Sequence, residues 1–219
     1  MTQARRRSSP PAVAVAQVHV RRAYTDGRHG QLHLTTAYPS GGGFDERSPL
    51  VCLHSAHAAG TSFRTLLPEL GKDRSVYAPD LPGHGQSDPV AASGHGNLGV
   101  AEYIAAMGDF FDSMRLRAVD LLGHGMGAVV AVELAVLRPQ QVRRVVLVPG
   151  EEPARNPQGE LRVGSIQQPT LLLYPAESKA QRPDLKTQHT AMALKQSAAE
   201  IFGSGAAETA RLLRDFLDR

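Results

Sequence analysis

Residues 119–148 read VDLLGHGMGAVVAVELAVLRPQQVRRVVLV, and this segment is the most informative about the architecture. The apolar run at 119–122 predicts a buried strand, and residues 128–137 predict an apolar helix. Residues 123–127 lie between them and leave room only for a tight turn. A second apolar run follows at 142–148. Strand, turn, helix and strand in this order predict two parallel strands joined by a crossover helix.

The flanking sequence continues this alternation in both directions. Short apolar runs predict strands at 50–53, 76–78 and 170–174, and a weaker strand at 199–202. Helical spacing predicts helices over 61–70, 98–116 and 208–217. Alternating residues around a turn at 25–28 predict an antiparallel hairpin from 13–24 and 31–38. We therefore predict a single α/β domain over 13–219, with a mainly parallel sheet, helices on both faces and an N-terminal hairpin.

Composition narrows the possible functions. The chain has 219 residues, and its only cysteine, Cys52, excludes an internal disulfide and any multi-cysteine metal centre. This usage is typical of a reducing compartment, so we expect a cytoplasmic protein. Six of the 24 basic residues fall in the first 30, so the net charge of +3 does not belong to the domain. The composition thus predicts neither nucleic acid nor a membrane as a partner, and residues 1–12 are predicted to be a disordered arm.

Three segments together resemble a known family. They are VCLHSAH (51–57), VYAPDLPGHGQSD (76–88) and the 119–148 segment quoted above. Through them the chain is identified as similar to the α/β-hydrolase superfamily. Relatives with a cap domain insert it where this chain has the short connection 149–168, so the resemblance implies a small form without a cap. In this family the turn between strand and helix is the nucleophile elbow, G-x-S-x-G, with the nucleophile at its centre.

The resemblance assigns roles to individual positions. The central elbow residue is Gly125, which has no hydroxyl, thiol or carboxylate, so no acyl-enzyme can form there. The acid position falls at Glu177, or at Ser178 in the alternative register. The histidine position falls at Ala206, and the nearest histidine, His189, is expected on the solvent side of a helix-like stretch. Both the nucleophile and the base of the triad are therefore expected to be absent.

The oxyanion hole of the family depends on backbone groups, which substitution does not remove. Its donors would be the N–H groups of Ala56 and Met126. The resemblance therefore implies a hydrolase-like pseudoenzyme without serine-hydrolase activity, which binds a small molecule or acts through a partner surface. We expect no cofactor and no metal. The sequence is compatible with a homo-oligomer and does not decide the oligomeric state.

Two alternatives remain at the level of sequence. The first is an unconventional enzyme, ester hydrolase-like or free of cofactor, with His57 or His124 as its base. The second is a dinucleotide-binding protein, because residues 123–128 match G-x-G-x-x-A and Glu151 follows the next strand. A metal site is a weaker hypothesis. It rests on four histidines in loops after strands: His54, His57, His84 and His124.

Overall fold

A computed structural model describes residues 17–41, 47–89, 99–150, 161–178 and 187–219. The predicted arm at 1–12 and Glu151 lie outside these ranges. The described strands are β1 Val18–Gly27, β2 Gly30–Pro39, β3 Arg47–Leu53, β4 Arg74–Pro79, β5 Val119–His124, β6 Val142–Val148, β7 Thr170–Tyr174 and β8 His189–Ala193. The described helices are α1 Leu66–Leu70, α2 Val100–Ser113, α3 Met126–Leu137, α4 Ala198–Phe202 and α5 Ala206–Leu217, with 3₁₀ turns at Gly60–Phe63 and Val163–Ser165.

The strands form one sheet in the order β1-β2-β4-β3-β5-β6-β7-β8. The first two are an antiparallel hairpin in which Gly27 pairs with Gly30, so the turn residues are Arg28 and His29. β2 pairs antiparallel with β4, and all later pairs in the described sheet are parallel. This arrangement confirms the predicted fold class, and the described residues include no cap domain.

Helices cover both faces of the sheet. α2 and α3 pack on one face, whereas α1, α4 and α5 pack on the other. Adjacent residues of β5 serve different faces, since Leu121 belongs to the first core and Leu122 to the second. The longest described helix, α2, has 14 residues, so no helix in the described part of the chain reaches the roughly 20 residues of a membrane span.

The C-terminal part differs from the prediction in three respects. The strand predicted at 199–202 is helix α4, because Ser197 and Glu200 form a capping box that starts a helix there. The last strand lies earlier: His189 begins β8 and is buried, and does not face solvent from a helix. Ala206 does not lie in the loop after the last strand. It is the first residue of α5 and is buried.

The helix predicted over 61–70 is also shorter than expected. The structure has a 3₁₀ turn at Gly60–Phe63, and α1 begins only at Leu66. Thr61, the first residue of the predicted helix, lies inside the 3₁₀ turn, and the residue before that turn is Ala59.

The strand that leads to the elbow carries a buried carboxylate near its beginning. Asp120 is fully buried in β5, and neither of its oxygens has a hydrogen-bond partner among the described residues. Arg143 Nη1 lies 3.7 Å from Asp120 Oδ2, and Arg74 Nη1 lies 4.0 Å from the same oxygen. Burial raises the pKa of Asp120 from 3.8 to about 6, although these arginines oppose the shift.

The raised pKa of Asp120 predicts a pH dependence of stability. The folded state holds this proton more tightly than the unfolded state, so the contribution of Asp120 to the unfolding free energy falls as the pH rises from about 4 to about 6. Asp120→Asn removes this titration. We expect the unfolding free energy of the variant, relative to the native protein, to increase by about 2 kcal/mol between pH 4 and pH 7.

Urea unfolding of both proteins across this pH range measures the effect. The subtraction is needed because His54, described below, has a lowered pKa and makes stability rise with pH over a similar range. His54 is common to both proteins and cancels in the difference. A difference that stays constant from pH 4 to pH 7 would contradict the assignment to Asp120.

Candidate functional site

The turn between β5 and α3 has the backbone geometry of a sharp elbow. Gly125 lies between His124, which ends β5, and Met126, which begins α3, and has φ +54° and ψ −117°. This positive φ is costly for a residue with a side chain and free of strain for glycine. The Gly125 N–H donates to Val148 O at 3.0 Å, and Gly125 O accepts from the Ala128 N–H at 3.0 Å. The elbow is therefore fixed to β6 on one side and to its own helix on the other.

The elbow is also held against the end of β3. The Gly127 N–H donates to His54 O at 3.0 Å, and a Cβ at Gly127 would lie 2.1 Å from Leu53 O. A Cβ at Gly123 would lie 2.4 Å from Gly127 O. Both glycines are required because backbone approaches them closely. Of the two glycines that match a dinucleotide motif, Gly123 is thus explained by close packing within the elbow and Gly125 by its positive φ.

Topology makes this place the expected ligand site. β3 lies between β4 and β5, and the chain leaves β3 towards β4 but leaves β5 towards β6. The loops after β3 and β5 therefore diverge at neighbouring strand ends, which is a topological switch point. In open α/β sheets, ligands bind in the crevice at such points.

The two predicted oxyanion donors lie in these two diverging loops. Ala56 follows β3, and Met126 is the first residue of α3. Both residues are half-buried, and neither N–H donates to a backbone acceptor among the described residues. The N-terminus of α3 has no side-chain cap. Its Gly127 and Ala128 N–H groups donate to His54 O and Gly125 O, so the Met126 N–H is the early donor of α3 that is left for a ligand.

Gly125 itself is closely enclosed. A Cβ at this position would lie 2.9 Å from Ser55 Cβ, 3.5 Å from Ser55 Cα and 3.9 Å from Gly150 Cα. Distances under 3.0 Å do not occur between such atoms without a shift of one of them. The contact with Ser55 was not predicted from the sequence.

His54 and His84 have structural roles. The Leu81 N–H donates to His54 Nε2 at 2.9 Å, so the proton lies on Nδ1, which donates to Ser55 O at 2.8 Å. Burial lowers the pKa of His54 to about 4, so the ring is neutral at pH 7. His84 Nδ1 donates to Pro82 O at 3.0 Å, and its ring centroid lies 5.2 Å from that of His54. In the part of the chain that the structure describes, no three histidine, cysteine or carboxylate side chains are grouped to hold a metal.

Asp80 organises the loop that follows β4. It is almost fully buried and accepts hydrogen bonds from the Gly60 N–H at 2.7 Å and the Gln86 N–H at 2.9 Å. The third donor is His33 Nδ1 of β2, at 2.9 Å. The Ser87 hydroxyl donates to the backbone carbonyl oxygen of Asp80 and accepts from the backbone N–H of His33. Through these hydrogen bonds, the segment 76–88 connects the β1–β2 hairpin to the loops around the site.

His57 and His124, the proposed bases of the unconventional enzyme, lie in different surroundings. His57 is exposed in the loop after β3 and has φ +58°, a left-handed conformation that is uncommon for residues other than glycine. His124 is half-buried, and its ring centroid lies 5.1 Å from that of Phe202 in α4. Burial lowers the pKa of His124, and the charge of Glu177 opposes this shift.

Glu177 is held at the start of α4. It follows β7 and is exposed, and its Oε1 accepts a hydrogen bond from the Ala198 N–H at 2.7 Å. The neighbouring Ser178 is half-buried. Since β8 ends at Ala193, the loop after the last strand is residues 194–197, and it reads LKQS without a histidine. The resemblance implies a histidine in the loop after the last strand, and Ala206, the residue predicted at that place, lies in α5 instead.

Known proteins resemble this chain both in sequence and in fold. A 2-hydroxymuconate semialdehyde hydrolase from a Pseudomonas species is 33% identical over 118 residues, which make up 52% of this chain and 39% of that protein. A 2-hydroxy-6-oxo-2,4-heptadienoate hydrolase from Pseudomonas putida is 33% identical over 105 residues, 46% of this chain and 37% of that protein. The chain thus matches well under half of the length of these curated relatives.

A solved structure extends the likeness over nearly the whole chain. The naproxen esterase of Bacillus subtilis superposes with a TM-score of 0.69 at 16% identity, covering 93% of this chain and 94% of that one. At this identity the likeness shows the fold alone. The model of the alpha/beta hydrolase family matches residues 50–218, which include the elbow, the Asp80 loop and the last strand. The chain therefore belongs to the alpha/beta hydrolase family.

Proposed function

We propose that this chain is a pseudoenzyme of the alpha/beta hydrolase family that binds a small molecule through a carbonyl or carboxylate oxygen. The observation that carries the proposal is Gly125, which has the elbow conformation and no nucleophilic side chain. A serine hydrolase needs that nucleophile and a base within hydrogen-bond reach of it.

The expected position of the base supports the same conclusion. The loop at 194–197 follows the last strand and contains no histidine. Glu177, the acid candidate, accepts a hydrogen bond from the backbone of α4. In this proposal Glu177 stabilises the start of α4.

The binding part of the proposal rests on the backbone donors of the elbow. The N–H groups of Met126 and Ala56 lie at the switch point without backbone partners among the described residues. The positive end of the α3 dipole favours an anionic or partly negative oxygen at the same place. These groups would bind an oxyanion or carboxylate without any catalytic residue.

Turnover of p-nitrophenyl acetate tests the loss of chemistry. We expect no saturable hydrolysis by the native protein, and none by Gly125→Ser, because a serine alone lacks a base. His57→Ala and His124→Ala are the controls for the unconventional enzyme, whose specific support is the left-handed His57 beside the site. Saturable hydrolysis that one of these alanine variants abolishes would contradict the proposal in favour of that enzyme.

Acetate binding, followed by amide NMR, tests the retained site. We expect acetate to shift the Met126 and Ala56 amide signals of the native protein. Met126→Pro removes one donor at the first helical position, where proline is tolerated, and is expected to weaken the acetate Kd about tenfold or more. Met126→Ala keeps the N–H and should bind as the native protein does. Equal affinities of the proline and alanine variants would contradict a role for this donor.

A further inference from the structure

The nearest side chain to the elbow glycine comes from a different strand. Ser55 follows β3, and its Cβ lies 2.9 Å from the position that a Cβ at Gly125 would occupy. The Ser55 hydroxyl is one bond beyond this Cβ, so every rotamer leaves it beside the elbow. On another side, a Cβ at Gly125 would lie 3.9 Å from Gly150 Cα, an ordinary van der Waals contact. The close approach to a side chain at residue 125 therefore comes from Ser55.

The backbone at Ser55 is fixed and does not readily withdraw. Ser55 O accepts hydrogen bonds from His54 Nδ1 at 2.8 Å and from the Ala58 N–H at 3.3 Å. The preceding carbonyl, His54 O, accepts from the Gly127 N–H of the elbow helix at 3.0 Å. The loop after β3 is thus tied to α3. Side chains at positions 55 and 125 exclude each other.

We propose that Ser55 replaces the elbow side chain as the hydroxyl that contacts the bound ligand. This proposal rests on the proposed function, since it concerns the same site. The Ser55 hydroxyl would donate to the carbonyl or carboxylate oxygen that the Met126 N–H also binds. Ser55 is a binding residue here. No proton transfer or covalent step is assigned to it.

A cysteine at position 55 reports directly on this contact. The native Cys52 is fully buried and burial raises the pKa of its thiol, so it stays unreactive in the folded protein. We expect iodoacetamide to add one group to folded Ser55→Cys, as measured by mass spectrometry, and saturating acetate to slow this reaction about tenfold. Ser204→Cys, exposed between α4 and α5, is the matched control, and its rate should not respond to acetate.

Affinity gives a second measure. Ser55→Ala is expected to weaken the acetate Kd about tenfold, whereas Ser204→Ala leaves it unchanged. If acetate shifts the native Met126 amide but neither protects Ser55→Cys nor binds Ser55→Ala more weakly, the role of Ser55 is overturned and the proposed function stands. If acetate fails to shift the native amides, both proposals fail.

The mutual exclusion has its own test, which does not need a ligand. Gly125→Ser should lower the thermal midpoint, and Ser55→Gly/Gly125→Ser should recover part of the loss. The two variants share the unfavourable φ at residue 125, so their difference, corrected for Ser55→Gly alone, isolates the contact with Ser55. A double variant that gains nothing over the single one after this correction would overturn the exclusion.

Discussion

Gly127→Ala is expected to lower the unfolding free energy by about 4 kcal/mol or more, or to prevent folding. Its Cβ would lie 2.1 Å from Leu53 O and 2.7 Å from His54 O, and both of these are backbone atoms of β3 or its loop. Helix propensity acts in the opposite direction, because alanine is favoured over glycine by about 1 kcal/mol inside a helix. The clash is the larger effect, since only a displacement of β3 or α3 relieves it.

Chemical denaturation measures this loss where the variant folds, and the soluble yield measures it where the variant does not. Gly164→Ala is the matched control, because no atom lies within 4 Å of the Cβ it would add. We expect that control to stay within about 0.5 kcal/mol of the native protein. A Gly127→Ala variant as stable as the control would mean that β3 and α3 are not in contact as described.

Asp80→Ala is expected to destabilise the fold by about 3–5 kcal/mol, because it removes the acceptor of three donors at once. The Gly60 and Gln86 N–H groups and the buried His33 ring would be left without it. Unpaired buried donors are costly because water cannot replace the lost acceptor. The lost hydrogen bonds involve both β2 and the loop after β4. We therefore expect the connection between the hairpin and the site to be lost together with part of the unfolding free energy.

Asp80→Asn removes the negative charge and keeps one acceptor oxygen, so it helps to distinguish the contribution of the charge from that of the hydrogen bonds. The single amide oxygen can replace Asp80 Oδ2, which accepts from the Gln86 N–H and His33 Nδ1, whereas the NH₂ group then faces the Gly60 N–H. We therefore expect a loss smaller than that of Asp80→Ala. Urea unfolding of the two variants gives the comparison. Equal losses would indicate that the charge paired with His33 dominates, and a negligible loss in Asp80→Ala would contradict the role of Asp80 altogether.

Most of the sheet could be predicted because its strands are buried on both sides and read as short apolar runs. Residues 119–122 and 170–174 are examples, and the elbow between β5 and α3 was visible as a glycine-rich turn. β8 was missed because HTAMA is a short edge strand with no such run. The more apolar residues Ile201 and Phe202 belong to α4. The capping box of Ser197 and Glu200 is the sequence signal for the start of this helix.

The candidate site was predictable at single positions and not in its contacts. Gly125 and Met126 could be assigned from their place in one turn. The neighbours of Gly125 could not, because Ser55 and Gly150 come from loops after other strands and no local pattern marks them. The hydrogen bond between Asp80 and His33 could not be predicted for the same reason, because the hairpin and the loop after β4 come together only in the folded sheet.

The close contact between Ser55 and Gly125 also constrains how this sequence can change over generations. A single codon change that places serine at position 125 is expected to lower the stability of the protein while Ser55 remains. A glycine at position 55 has to come first, and by itself it offers no catalytic benefit on which selection could act. Under the proposal that side chains at positions 55 and 125 exclude each other, the order in which the two positions can change is therefore restricted.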